Sequence, residues 1–305
     1  MSKGLNNKII LSLAYTDQFK YPLTKEEIFL RIIGKDTFVS PEKIEKTLKK
    51  MVLDKEISSG NEFYFLNGSE KNIKSRLKRK TYSKKKWQEV QEFVKLMKFI
   101  PWINGVAVTG SLSVDNAKKN DDIDFLIVTK KNRLWLSRVF VVLLLFLKGK
   151  KRSWNGDEDN SWCLNFWLDD TSLKLPKRLH NIYGAFEVCQ AIWVYDREDI
   201  KKSFFELNNW AEPYLPNYFS FQKNNKSYLQ KPIFVRDIPL LDVANRILFF
   251  IQYLYMKRHM TKERVDENFA FFHPRDTKKQ IFKNWLRKYR INHVVRESGA
   301  QKTEI

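Results

Sequence analysis

Apolar residues recur at helical spacing through most of the first third of the chain. This pattern predicts a helix close to the beginning, and two further helix starts follow it. Thr24 and Glu27 have the form of a capping box, in which each side chain binds the backbone amide of the other. Ser40 followed by Pro41 predicts the start of a third helix. Residues 56–66, with a polar turn between two short apolar runs, predict a hairpin.

Three helices followed by a hairpin resemble a winged helix-turn-helix, and we assign residues 1–70 to such a module. The resemblance rests on the order of the elements and not on a signature residue. Winged helices bind DNA, and they also serve as protein-interaction modules. Both uses stay open at this point.

Residues 71–100 form a predicted basic helical linker. Its first part, residues 71–86, contains nine Lys or Arg residues and no acidic residue. Tyr82 and Trp87 alternate with these charges, which is typical of a segment that contacts phosphates and stacks on bases. A solvated helix face is the structural alternative. The segment therefore marks a possible nucleic-acid contact.

From residue 101 the apolar pattern changes to that of strands, and we predict an α+β fold for the whole chain. The predicted strands span 106–108, 122–128 and 162–168, and a long helix spans 133–147. Helices are predicted over 181–195, 197–210, 240–259 and 276–289. The predicted units are thus a core over 101–195 and a helical C-terminal region over 196–305.

Charge is the most unusual feature of the composition. There are 56 Lys and Arg residues against 35 Asp and Glu, a formal net charge of +21. Such an excess favours polyanionic partners, although a basic surface also keeps a protein in solution.

Cys163 and Cys189 are too few and too far apart for a disulfide scaffold or a structural zinc site. The most apolar run, residues 134–147, is interrupted by Arg138 and too short to span a membrane, so we expect a soluble, cytoplasmic protein.

Two carboxylates one residue apart carry the candidate chemistry. On a strand, Asp122 and Asp124 point to the same face, while Ile123 and Phe125 point to the opposite, buried face. Two anions held so close together favour a bound cation, for which Mg²⁺ (or Mn²⁺) is the natural choice. Upstream, Gly110-Ser111 stands at a strand end, where glycine allows the backbone to approach a phosphate.

This order of residues resembles the nucleotidyltransferase superfamily that includes DNA polymerase beta, aminoglycoside nucleotidyltransferases and CCA-adding enzymes. The family pattern is an apolar strand, Gly-Ser, a variable gap and Asp-x-Asp within a second apolar strand. Here ten residues separate Ser111 from Asp122, and the resemblance covers roughly residues 100–170. It implies a polymerase-beta-like domain with a small mixed sheet and helices. It also implies that Gly110 and Ser111 bind the phosphates of an NTP, and that Asp122 and Asp124 are catalytic metal ligands.

The third carboxylate of that family has no clear counterpart in this chain. The central polar residue of the third predicted strand is Asn165, which can offer a carbonyl ligand but cannot act as a general base. Asp169 and Asp170 stand at the end of that strand, and residues 157–159 form an acidic stretch before it. Glu187 on the next predicted helix is a further acid, for which a structural role is favoured.

Two functions from different classes follow from these residues. The first is the Mg²⁺-dependent transfer of a nucleoside monophosphate from an NTP to a hydroxyl on a protein, an RNA or a small molecule. The second is a catalytically silent nucleotide sensor that binds nucleic acid through the N-terminal module and residues 71–86. A toxin-like transferase acting on a host RNA or protein is a variant of the first function.

Overall fold

The computed structural model describes residues 2–34, 39–150, 160–225, 229–231, 238–258, 260, 263–272 and 278–300. Over these ranges the chain is a mixture of helices and sheets, so the predicted α+β class is confirmed. The helices are α1 Ser2–Asp17, α2 Lys25–Arg31, α3 Pro41–Leu53, α4 Lys71–Met97, α5 Leu134–Leu147, α6 Ile182–Gln190, α7 Ile200–Leu207, α8 Pro216–Asn224, α9 Pro239–Lys257 and α10 Lys278–Ala300. The strands are β1 Leu23–Thr24, β2 Ser58–Gly60, β3 Phe63–Phe65, β4 Ile103–Thr109, β5 Ile123–Thr129, β6 Trp162–Asp169, β7 Ile192–Asp196, β8 Arg264–Val265 and β9 Phe269–Phe271.

The first 70 residues combine α1, α2 and α3 with a small antiparallel sheet in the order β1-β3-β2. The predicted helix starts are present. Thr24 accepts a hydrogen bond from the backbone N–H of Glu27, whose carboxylate accepts one from the N–H of Thr24. Ser40 caps α3 by accepting a hydrogen bond from the backbone N–H of Lys43. These caps fix where the short helices begin because they satisfy N–H groups that have no partner inside the helix.

A second, six-stranded sheet has the order β7-β4-β5-β6-β9-β8. The pair β5–β6 is parallel, and the other described pairs are antiparallel. In this register Asp124 lies between Thr109 on β4 and Cys163 on β6. The Gly-Ser turn that follows β4 therefore meets the beginning of β5 at one end of the sheet.

The prediction of a single helix over 181–195 is wrong beyond Gln190. The chain leaves the helix at Ala191, and β7 then pairs with β4 at the edge of the sheet. The sequence of β7 is rich in β-branched and aromatic residues, which pack well on a pleated surface. Trp193 and Tyr195 are both buried there. The predicted helix over 197–210 is correspondingly shorter, since α7 begins only at Ile200.

Side chains of the large sheet alternate between two buried layers. Ala107, Leu126 and Val128 pack with the N-terminal helices and with α6 to α8. Phe125 and Ile127 pack on the other side with α4, α5 and α9. The predicted burial of Phe125 on the face opposite Asp124 is confirmed. None of the described helices is long and apolar enough to cross a membrane.

Contacts between distant parts of the chain complete the first of these layers. The C-terminal helix α10 packs on α1, where the indole N–H of Trp285 donates to the carbonyl of Leu11 over 2.9 Å. Lys288 of α10 forms an ion pair with the buried Asp17. The N-terminal helices thus share one apolar core with α6, α8 and Trp285.

Candidate active site

Gly110 forms the turn after β4 in a conformation that only glycine adopts easily. Its φ angle is +64°, in the left-handed region. A Cβ atom at this position would lie 2.3 Å from Oδ2 of Asp124, which is closer than any real contact. Glycine is required here both for the turn and for the approach of the Asp124 carboxylate. The structure therefore brings together two predicted site residues that are 14 positions apart in the sequence.

Asn165 is the direct partner of Asp124. Its side-chain amide donates to Oδ1 of Asp124, and its own oxygen accepts from the thiol of Cys163 over 2.7 Å. An irregularity in the β5–β6 register, between Asp124 and Leu126, adds a residue to β6 beside the aspartate. The structure thus places the side chain of Asn165 beside that of Asp124.

Asp122 lies just before β5 and not inside it. Its Oδ1 atom accepts hydrogen bonds from the backbone N–H of Ser161 at 2.9 Å and from the Ser161 hydroxyl at 2.7 Å. Both Asp122 and Asp124 are partly exposed, and both have partners at the beginning of β6. Ser161 escaped the sequence analysis because nothing but its place before a strand distinguishes it.

Asp121 is a third carboxylate near the Gly-Ser turn, and the sequence analysis missed it. The hydroxyl of Ser111 donates to Oδ2 of Asp121 over 3.2 Å, and the backbone N–H of Lys118 donates to the same atom over 2.9 Å. Asp121 thereby closes the loop that connects the turn to Asp122. Its position directly before the Asp-x-Asp pair was the available signal.

Helix α4 holds this loop in place from the other side. The guanidinium of Arg76 donates to the carbonyl of Val114 at 2.8 Å and to the carboxylate of Glu27 at 2.8 Å. It also stacks over the ring of Tyr21, 3.6 Å from the ring centroid. The indole N–H of Trp87 donates to Asp115 over 2.9 Å, so Trp87 supports the loop.

Lys86 is a buried cation at the end of the same loop. Its ammonium group donates to the carbonyl of Asp121 at 2.5 Å and to the side chain of Asn160 at 2.8 Å. Burial lowers the pKa of Lys86 from the usual lysine value. Lys86 and Arg76 therefore belong to the structure of the loop, whereas most of the other basic residues in 71–86 are exposed.

Two basic residues of α4 line a cleft beside the loop. The cleft has a volume of about 490 Å³. Lys78, Arg79 and Tyr82 line it from α4, and Lys118 and Lys119 line it from the loop. Its charged lining is entirely cationic. Because the N–H of Lys118 is bound by Asp121, the cleft adjoins the Gly-Ser turn.

The other acidic residues considered from the sequence lie elsewhere. Asp169 pairs with Thr129 at the far end of β5 and β6, about 20 Å from Asp124 at the usual rise of a strand. Burial raises the pKa of Asp169, and burial together with repulsion from Asp169 raises the pKa of Asp170 to about 6. Residues 157–159 lie outside the described residues.

Glu187 sits on α6 against α1. Its charge interacts with Tyr15, whose ring stacks on Phe186 with 4.1 Å between the centroids. Burial raises the pKa of Glu187 to about 7, and its side chain bonds with Tyr183. These contacts give Glu187 a place in the interface between α1 and α6, in line with the structural role favoured above.

The surroundings of Asp124 offer few ligands for a metal ion. Among the described residues, no group of three or more His, Cys, Asp or Glu side chains could hold a metal ion. Asp122 and Asp124 nevertheless offer carboxylate oxygens, which are the hard ligands that Mg²⁺ prefers. Mg²⁺ is commonly bound by one or two carboxylates together with substrate phosphates. Two carboxylates alone would therefore leave most of the coordination positions of such an ion to other ligands.

The chain matches no protein-family model, no curated protein and no solved structure. Its function must therefore be inferred from the site itself. The structure gathers Gly110, Asp124 and Asn165 directly, links Ser111 to Asp121, and directs Asp122 toward the beginning of β6. All these residues lie at one end of the sheet, next to a cationic cleft.

Proposed function

We propose that this chain is a nucleotidyltransferase of the polymerase-beta type. It would transfer a nucleoside monophosphate from an NTP to a hydroxyl group of an acceptor, with Mg²⁺ or Mn²⁺ bound by Asp122 and Asp124. Gly110, Ser111 and the backbone of the turn would hold the β- and γ-phosphates. Asn165 would orient Asp124 and complete its surroundings.

The observation that carries this proposal is the contact between Gly110 and Asp124. The carboxylate occupies the space that a Cβ atom of residue 110 would need, so a left-handed glycine and an acid meet at one point. A phosphate held by the turn would lie within reach of an ion on that acid. The mixed sheet and the loop fixed by Arg76 and Trp87 support the same reading, because a rigid scaffold keeps the catalytic geometry without a rearrangement.

The reaction needs little covalent chemistry from the protein. The acceptor hydroxyl oxygen forms a bond to the α-phosphorus, the bond from that phosphorus to the bridging oxygen breaks, and pyrophosphate leaves. A bound divalent ion would neutralise charge that develops on the phosphates. Asn165 cannot accept the hydroxyl proton, so in this proposal the proton passes to solvent. Asp122 and Asp124 would fix the direction of attack by positioning the nucleotide.

A silent nucleotide sensor is the second candidate, and the Asn165 contact favours it. The amide N–H of Asn165 partly compensates the charge of Asp124, which a third carboxylate at that position would not do. We expect an amide in place of the third carboxylate in a site that still binds a nucleotide but no longer catalyses transfer. The two candidates differ in one measurable property, the formation of a covalent product.

The acceptor we propose is a polyanion such as RNA, bound in the cleft between α4 and the loop. Lys78 and Lys119 would contact phosphates, and Tyr82 would stack on a base. The N-terminal module, whose helices and small sheet resemble a winged helix, would extend this surface or bind a protein. The net charge of +21 supports a polyanionic partner, whether it binds in the cleft or on the N-terminal module.

The deciding experiment incubates the protein with each α-labelled NTP, Mg²⁺ or Mn²⁺, and total RNA or protein as acceptor. Label transferred by the wild type and lost in Asp124→Asn supports the transferase and reveals the acceptor class. Metal-dependent NTP binding without transfer supports the sensor. No NTP binding under any condition overturns both candidates.

The cleft is tested separately by RNA binding as a function of salt. The double variant Lys78→Ala/Lys119→Ala should bind RNA more weakly and lose about two units of the slope of log K against log salt, since each phosphate contact contributes about one. Lys95→Ala on the exposed part of the same helix is the control and should bind as the wild type does. Equal losses in both variants would rule out a specific role for the cleft.

A further inference from the structure

Helices α5 and α9 pack against each other and leave apolar side chains uncovered. Asn245 of α9 caps α5 by accepting from the backbone N–H groups of Trp135 at 2.9 Å and Leu136 at 3.0 Å. Gln252 of α9 donates to the carbonyl of Trp135 and accepts from Arg138. These buried polar contacts fix the pair of helices as one rigid surface.

The outer side of α9 carries a regular apolar stripe. Leu240, Val243, Ile247, Phe250 and Leu254 follow one another at steps of three and four residues, and they are 52–73% exposed. This spacing places all five on one side of the helix, and it is the spacing by which helices pair in coiled coils. We name this stripe, with its neighbours on α5, the α5–α9 face.

Helix α5, which packs on α9, carries a second set of apolar side chains. Phe140, Leu143, Phe146 and Leu147 are all exposed. They also stand at steps of three and four residues, apart from the adjacent pair at the end. No charged residue stands between Phe140 and Leu147, whereas Asp242 and Arg246 of α9 lie beside its stripe.

The size of the α5–α9 face is that of an interface. The nine side chains are 44–73% exposed. An aromatic side chain carries about 150–250 Å² and an aliphatic one somewhat less, so the exposed parts sum to an area on the order of 1,000 Å². The largest apolar patch on a typical monomer covers about 300–600 Å². A stable complex buries about 800 Å² on each partner. The face therefore has enough apolar area for a lasting association.

We propose that the α5–α9 face pairs with the same face of a second copy of this chain. A heptad-like stripe is matched by another helix with the same stripe, and α9 of a second copy supplies one under two-fold symmetry.

Charge restricts where two copies of the chain can meet. Two copies with a net charge of +21 each repel one another, and they meet with the least repulsion where charges are absent. At one rim of the face the cations are already neutralised, by the pairs Arg133–Asp242 and Arg246–Glu267. That rim does not have the excess of cations that an anionic membrane surface selects.

The test is the mass of the full chain in solution, measured by sedimentation equilibrium at micromolar concentration. The wild type should have twice the chain mass of 36.6 kDa. Ile247→Glu/Leu254→Glu should shift the protein to the monomer, with an unchanged circular dichroism spectrum because both positions are exposed. Leu53→Glu, at an apolar position on α3 that is 80% exposed, is the matched control and should stay dimeric.

Three results would overturn the proposal. One is a wild-type monomer at all concentrations, and another is a dimer that survives the double substitution. The third is a monomer that floats with vesicles of phosphatidylcholine and phosphatidylserine and is released by Ile247→Glu/Leu254→Glu, because the face would then be a lipid-binding surface.

Discussion

The two ends of the strand pair β5–β6 each carry a pair of aspartates, yet their surroundings differ in kind. Asp122 and Asp124 are partly exposed and lie beside a left-handed glycine and a cationic cleft. Asp169 is buried, and Asp170 is bonded to Asn104 at 3.3 Å. Adjacent acids in a sequence are therefore not equivalent, and the groups around them decide which pair can bind a ligand.

The largest difference between the two pairs is expected in catalysis. Asp124→Asn should reduce label transfer from NTP by at least about 100-fold, because it removes charge that stabilises the bound ion and the transition state. Asp170→Asn should change the rate less than about threefold, since a neutral isostere leaves the distant site intact. Initial rates of transfer measure both effects. Equal losses would show that the first pair has no special role.

Gly110 provides the next contrast, since Gly149 has nearly the same φ angle, +62°, but no atom of the described residues lies within 4 Å of its Cβ position. Gly149→Ala should cost only the backbone strain, about 1 kcal/mol of unfolding free energy. Gly110→Ala should cost about 1–3 kcal/mol more, because the new Cβ displaces the Asp124 carboxylate. It should also abolish metal-dependent NTP binding. Urea unfolding and nucleotide titration measure these effects, and equal costs at the two glycines would contradict the close contact.

The second pair should reveal itself through pH and not through activity. The pKa of Asp170 is raised from 3.8 to about 6 in the folded protein, so its contribution to stability is complete below pH 4 and is lost as the pH rises through 6. Asp170→Asn should remove this pH-dependent loss, which amounts to about 1–3 kcal/mol of unfolding free energy.

Thermal unfolding of the two proteins from pH 4 to pH 7.5 measures this difference. The variant should gain stability relative to the wild type as the pH rises. If the unfolding temperatures of the two proteins changed in parallel with pH, Asp170 would have the pKa of an ordinary aspartate. Glu187, with its pKa of about 7, is present in both proteins and cancels in the comparison.

The smallest expected effect concerns the hydroxyl groups that contact each pair. Ser161→Ala removes the 2.7 Å hydrogen bond to Asp122 and should weaken metal activation of transfer by about threefold to tenfold. Thr171→Val removes the 2.7 Å hydrogen bond to Asp169 and should leave metal activation unchanged. Titration of the transfer rate with Mg²⁺ distinguishes them, and a larger effect of Thr171→Val would reverse the assignment of the two ends.

Local sequence signals were sufficient for many elements of this molecule. The capping pair Thr24 and Glu27, the start at Pro41 and the alternation through Phe125 act within a few residues, and the structure contains each of them. The edge strand β7 was missed because its pairing with β4 depends on residues almost 90 positions upstream. A short edge strand that directly follows a helix is hard to distinguish from a continuation of that helix when no glycine or proline marks the turn between them.

The candidate site shows the same limit. Gly110 and Asp124 could be paired through their resemblance to a known motif, whereas Asp121 and Ser161 join the site only through the folded loop. The sequence also did not show that some basic residues of 71–86 are structural while others line the cleft. Arg76 turns inward to Glu27 and Val114 while Lys78 faces the cleft, although both look alike as members of a charge run.

The packing of α10 on α1 has a consequence for the order of events on the ribosome. Trp285 follows Leu11 by 274 positions. At about 5–20 residues per second, roughly 15–55 s pass between the synthesis of these two contacts. During that interval the side of α1 that later receives Trp285 is a ready binding surface for a chaperone. Helix α10 closes it, so the N-terminal module reaches its final state only after α10 has been made.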